Sequence, residues 1–175
     1  LARTRGTVAF SDTGFSLASV QTAVLGGETR VDGGLQDGAL AVRAQGTATA
    51  EGLRQASGLG ALTRLAQRAS GSAAYTAALT RDAAGALAFT LDSPLQRLAL
   101  DLPAPLAKPA EASLPLRYEN RVLTVVDESA RTDRLAIQLG SALAPVASLR
   151  YERELGAAEP RVLRGAIAVG LEDDA

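Results

Sequence analysis

From Leu87 to Leu102, apolar and polar residues alternate with a period of two. Leu87, Phe89 and Leu91 fall on one side of the chain and Ala88, Thr90 and Asp92 on the other. After Ser93-Pro94, Leu98, Leu100 and Leu102 repeat the pattern against Ala99 and Asp101. Such alternation predicts strands with one face against an apolar layer. Pro94 separates the two runs, because proline has no N–H for a sheet ladder and fixes its own φ. Pro103, Pro105, Pro109 and Pro115 then follow closely. No helix tolerates that spacing, and the residue before each proline is pushed towards extended geometry. Residues 103–115 therefore read as an extended, proline-rich crossing into a strand at Leu116.

The rest of the chain is mostly short strands broken by turn residues. Strands are expected over residues 7–10, 15–25, 28–31 and 39–49. Asp12-Thr13-Gly14, Gly26-Gly27, Asp32-Gly33-Gly34 and Asp37-Gly38 supply turn chemistry between them. From Glu51 to Arg68 the period changes: Leu53, Ala56, Leu62, Leu65, Ala66 and Ala69 follow helical spacing. One short helix inside residues 50–70 is expected, with a break at Gly58-Leu59-Gly60, since glycine in a helix interior costs about 1 kcal/mol relative to alanine. Asn120 reads as a turn after Tyr118. Three further strands are expected over 133–139, 146–153 and 162–171, the first carrying Leu135, Ile137 and Leu139 on one face. About ten strands and one helix make a β-dominated α+β fold, an extended antiparallel sheet.

Composition removes most chemistry. There is no histidine and no cysteine, so imidazole bases, thiolate nucleophiles, disulfides and most zinc sites are excluded. Eighteen basic against nineteen acidic residues give a net charge of -1, which leaves no electrostatic footprint for nucleic acid. Six aromatic side chains, three Phe and three Tyr, are too few for a base-stacking platform. The carboxylate pairs Asp92/Asp101 and Asp127/Glu128 read as solvated faces and turns, and Glu172-Asp173-Asp174 as a solvated end. Lys108, the one lysine, reads as an exposed loop charge among prolines. No uncharged apolar run reaches the ~20 residues needed to span a bilayer. Neither a catalytic residue, a metal site nor a cofactor is expected.

Several strings together carry a resemblance. Asp92-Ser93-Pro94-Leu95, then residues 98–106 (LALDLPAPL), Lys108-Pro109 and Leu114-Pro115-Leu116 resemble the YhdP branch of the AsmA-like proteins. Gly26-Gly27 after a strand, a short helix near 53–69 and a strand start at Gly71 to Tyr75 occur in the same order. The resemblance covers roughly residues 6–118. It departs from the family at Arg97, where a small residue is usual. It implies a segment of a large Gram-negative envelope protein, anchored in the inner membrane and reaching through the periplasm. The implied fold is a groove-like curved sheet whose apolar inside conducts phospholipid between the inner and outer membranes and maintains the outer-membrane barrier. On that reading residues 1–175 form one segment whose partners are phospholipid acyl chains and neighbouring segments of the same protein. The groove candidates are Leu87, Phe89 and Leu91, then Leu98, Leu100 and Leu102, then Leu135, Ile137 and Leu139. The absence of a methionine and the start at Leu1 fit an excised segment. The alternative is a structural or protein-interaction β-module with a closed core and no lipid.

Overall fold

The computed structural model describes residues 4–56, 61–82, 85–123, 131–155 and 160–170. Strands β1 (Arg5–Ser11), β2 (Gly14–Val24), β3 (Gly27–Gln36) and β4 (Ala39–Thr49) form a meander. Helices α1 (Ala50–Gln55) and α2 (Ala61–Ala66) follow, then β5 (Ala69–Arg81), β6 (Leu87–Ser93) and the short β7 (Leu98–Leu100). β8 (Leu116–Leu123), β9 (Thr132–Gly140), β10 (Pro145–Glu154) and β11 (Arg161–Val169) complete the chain. All pairings are antiparallel, and spatial order follows chain order from β1 to β11, except that β7 leaves the path and pairs with the start of β5. The sheet is open, as expected, with β1 and β11 as its edges.

Turn chemistry explains the tightest links and one misreading. Leu25-Gly26 and Asp37-Gly38 both take positive φ at each residue, 53° and 80°, then 48° and 80°. That pair of left-handed residues gives a two-residue hairpin whose twist matches its strands. Asp32-Gly33-Gly34, expected as a turn, lies inside β3 and pairs with β2 and β4 on either side. Its aspartate serves the neighbouring strand instead. β2 bulges between Leu17 and Val20, Ser19 has φ 52°, and Asp32 Oδ1 accepts the Ser19 N–H at 2.7 Å. A second correction concerns Asn120. It is not at a turn but in the middle of β8, opposite Phe89 and Leu135, because the tyrosine and valine on its face favour a continued strand.

The helical segment is present in two pieces; the expected break at Gly58-Leu59-Gly60 lies outside the described residues. Thr49 caps α1, its Oγ1 accepting the Gly52 N–H at 2.9 Å. Arg54 reaches across, donating through Nη1 to the carbonyls of Ala66 and Ala69 at 3.0 and 3.1 Å. Ala50, Ala69, Ala73, Leu95 and Leu98 form a buried cluster, with Leu100, Leu116 and Leu139 against it.

The crossing over residues 103–115, expected to be extended, belongs instead to a segment, residues 94–114, that folds back. Leu100 and Lys108 exchange backbone hydrogen bonds at 2.8 and 3.0 Å, and Leu114 N–H returns to Pro94 O at 3.0 Å. The segment thus folds back on itself as a compact loop over the strand ends. Prolines are tolerated there because turns, unlike ladders, do not need their missing N–H. Lys108 is also corrected: it is buried at 5% exposure. Its ammonium donates to Pro109 O at 3.0 Å and Ala112 O at 2.9 Å, which pins the loop. Arg97 sits at φ 68°, and its carbonyl lies 2.2 Å from where a Cβ on Gly71 would stand. This left-handed position favours glycine and costs a residue with a Cβ about 1–2 kcal/mol.

Candidate functional site

Register assigns every strand residue to one of two faces, since cross-strand partners share a face and neighbours along a strand alternate. One face is mostly apolar on every strand of the main sheet. In one row Val31, Ala44, Ala77, Leu91, Tyr118, Ile137, Leu149 and Ile167 lie opposite one another from β3 to β11. The next row runs through Val42, Leu79, Phe89, Asn120, Leu135 and Tyr151 to Gly165. β2 and β1 extend it with Phe15, Leu17, Val8 and Phe10. Nine inter-strand steps at about 4.8 Å make this apolar band about 43 Å long, several times the ~15 Å hydrocarbon depth of one leaflet.

Cover is uneven along the band. At one end of the strands, Ala50 of α1 and Leu95 and Leu98 of the folded-back loop pack with Ala73, Leu116 and Leu139. Away from that cap most apolar side chains are half-buried. At the edges they stand open: Phe10 is 82% exposed, Ile167 63% and Val169 51%. Six of the nine groove candidates, Leu87, Phe89, Leu91, Leu135, Ile137 and Leu139, share the apolar face. Leu98 is buried in the cap cluster and Leu100 packs on it, while Leu102 lies beyond the three residues of β7. The structure therefore separates two groups that one alternation pattern had joined.

Polar groups interrupt this face near the cap and at the opposite end of the strands, where Arg81 stands between Leu40 and Leu87. Near the cap, Thr29 and Tyr75 hydroxyls hydrogen-bond at 2.8 Å across the intervening strand β4. Gly46 makes that reach possible, because a Cβ there would lie 2.4 Å from Thr29 Oγ1. At the opposite end of the strands, Asp133 is 2% exposed and fully satisfied. Its Oδ1 accepts from Arg153 Nε at 2.9 Å, and its Oδ2 accepts from Asn120 Nδ2 at 2.7 Å and from Arg153 Nη2. Ionisation of Tyr118 beside this group is pushed up by burial and by the Asp133 charge, with Arg153 and Asn120 acting the other way. The Asn120–Asp133–Arg153 group was missed from sequence. Asp133 and Arg153 were placed only at strand ends, and their facing depends on the register between β9 and β10.

The other face is polar and laced with ion pairs. Arg117 contacts Asp92 at 3.0 Å and is held by Glu119; Arg164 contacts Glu152 at 2.6 Å. Among the described residues no group of histidine, cysteine, aspartate or glutamate could hold a metal ion. No helix among them is long and apolar enough to cross a membrane.

The family model described as YhdP protein matches residues 1–174. The chain belongs to the YhdP family. That span takes in β8 to β11 and so extends well past residue 118, where the sequence resemblance weakens. No curated protein and no solved structure matches this chain.

Proposed function

We propose that the apolar face is a wall along which phospholipid acyl chains travel between the inner and outer membranes. On this reading the chain is a non-enzymatic, periplasmic segment of an inner-membrane-anchored envelope protein that maintains the outer-membrane barrier. Membership of the YhdP family and an open antiparallel sheet support it. The observation that carries it is the band of apolar residues to which each strand contributes, from one open edge of the sheet to the other.

The energetics suit transit. Each methylene hidden from water is worth about 0.8 kcal/mol, so a chain of roughly 15 carbons needs ~12 kcal/mol of cover. Repeated Leu, Ile, Val and Phe contacts supply that cover with little variation from strand to strand, which avoids a deep trap. Leu91, Phe89, Leu135 and Ile137 would form the middle of the wall, and the open edges of β1 and β11 would receive neighbouring segments of the same protein. Native mass spectrometry of protein purified from membranes in mild conditions tests the reading. Co-purified phospholipid, lost from an Ile137→Asp variant that remains folded, is expected. Lipid-free protein from every such preparation would contradict it.

A further inference from the structure

The polar face carries a feature that acyl-chain transit does not use. Five arginines from four neighbouring strands, Arg117, Arg121, Arg134, Arg150 and Arg164, line one depression of about 730 Å³ together with Glu119 and Glu152. Five positive and two negative side chains make this depression +3 in a chain whose net charge is -1.

The arginines are not equally engaged. Arg117 is held by Glu119 and Asp92, and Arg164 by Glu152 at 2.6 Å. Arg134 reaches Glu152 only at 3.8 Å. Arg121 and Arg150 have no ion-pair partner among the described residues, and both are exposed. Arg121 and Arg134 are direct cross-strand partners, which places their Cβ atoms about 5 Å apart. Like charges in that position destabilise a sheet. Arg150 stands diagonally from Arg134, opposite Ala136, at a Cβ separation of about 7 Å. The floor beneath them is small: Ala88 faces Arg121 and Ala136 faces Arg150. Arginines from β8, β9 and β10 therefore surround the small floor at Ala136 together with two carboxylates: Glu119 stands directly opposite Ala136, and Glu152 directly opposite Arg134. Glu119 is held by Arg117 and Glu152 by Arg164, which leaves Arg121 and Arg150 without an ion-pair partner among the described residues.

We propose that this depression is a binding site for a phosphate group. Guanidinium forks match oxyanions bidentately and remain charged at any physiological pH. Three of them on adjacent strands lining one depression offer more donors than the two oxygens of one carboxylate accept, whereas a phosphate presents at least three oxygens. A dianion at the centre also removes the Arg121–Arg134 repulsion, so a local conflict in the empty sheet becomes a binding contribution. The site lies on the face opposite the apolar wall and does not depend on lipid passing along that wall.

A phosphate could arrive on a soluble ester or on a lipid headgroup, and two probes separate these sources. Inorganic pyrophosphate is titrated by calorimetry at fixed ionic strength. Vesicles of phosphatidylcholine, with and without phosphatidic acid, are tested by co-sedimentation. The expected result is saturable pyrophosphate binding, weakened at least tenfold in Arg121→Gln/Arg150→Gln. Arg43→Gln, an exposed arginine of the same face on distant β4, should stay within twofold of the parent. Sedimentation with phosphatidic acid vesicles, competed by pyrophosphate, would assign the site to headgroups; pyrophosphate binding without sedimentation would assign it to soluble esters. Absence of binding by both probes, or equal weakening by the β4 and the double variants, would overturn the proposal. The substituted arginines are all exposed, so the variants are expected to fold, with an unfolding midpoint no lower than the parent's and raised where Arg121→Gln relieves the Arg121–Arg134 repulsion.

Discussion

Ile137→Asp and Ala136→Asp place the same carboxylate on adjacent residues of β9 and on opposite faces of the sheet. Ile137 lies between Tyr118 and Leu149 on the apolar face, half-buried. Removing it forfeits part of the 1.5–3 kcal/mol that full burial of such a side chain is worth, roughly 1 kcal/mol here. A carboxylate against those apolar neighbours adds a desolvation cost of about 1–3 kcal/mol. The total is about 2–4 kcal/mol. Ala136 lies between Glu119 and Arg150 on the polar face, where one new attraction and one new repulsion nearly cancel, leaving the change within about 0.5 kcal/mol. With a urea m-value of about 2–3 kcal/mol/M, Ile137→Asp should lower the unfolding midpoint by about 0.7–2 M, and Ala136→Asp should leave it nearly unchanged. Equal shifts, or the larger shift from Ala136→Asp, would refute the assignment of faces and with it the apolar wall.

Further perturbations probe the rest of the structure. Arg153→Met leaves the Asp133 carboxylate buried without its partner and should cost about 3–5 kcal/mol, whereas Arg153→Met combined with Asp133→Leu should recover most of that loss in the same urea titration. Gly46→Val pushes a side chain into the Thr29–Tyr75 hydrogen bond and should destabilise more than Tyr75→Phe, which removes one hydroxyl pair at about 1 kcal/mol. Burial lowers the Lys108 pKa below its ordinary 10.5, with Glu111 partly offsetting this. The unfolded chain therefore keeps that proton to higher pH than the folded one, so this lysine's contribution to stability rises as pH climbs through its folded pKa towards 10.5. The stability difference between the parent and Lys108→Met should grow over that window, and a difference independent of pH would exclude the effect. Because β1 and β11 are open edges, the isolated chain should bind single acyl chains yet fail to move a fluorescent phospholipid between liposomes; rapid saturable transfer would mean a self-contained shuttle.

Period-two alternation made most of the fold legible, because a strand with one apolar face leaves the same trace whatever its neighbours. β6, β9 and β10 could be read from their own residues, and six groove candidates share a face because those strands pair in register. Leu98 and Leu100 show the limit of that signal. Their alternation is genuine, but Pro94 and the left-handed residues Leu95 and Arg97 turn the chain onto the start of β5 and into the cap. Asp32-Gly33-Gly34 misled for a related reason: a turn-forming aspartate was needed by the bulge in the adjacent strand, which no local pattern reveals. The arginine depression depends entirely on pairing. Arg121, Arg134 and Arg150 are scattered along the sequence and meet only through the β8–β9–β10 register.

The central claim is that acyl chains lie on the apolar face. Photo-crosslinking with a phospholipid carrying a diazirine on its acyl chain, followed by peptide mapping, tests it most directly. Adducts should concentrate on apolar-face residues of β6, β8, β9 and β10 such as Leu91, Tyr118, Ile137 and Leu149, and excess unlabelled phospholipid should suppress them. Adducts spread equally over Thr90, Ala136 and Ser148 on the polar face, or none that unlabelled lipid competes away, would contradict it.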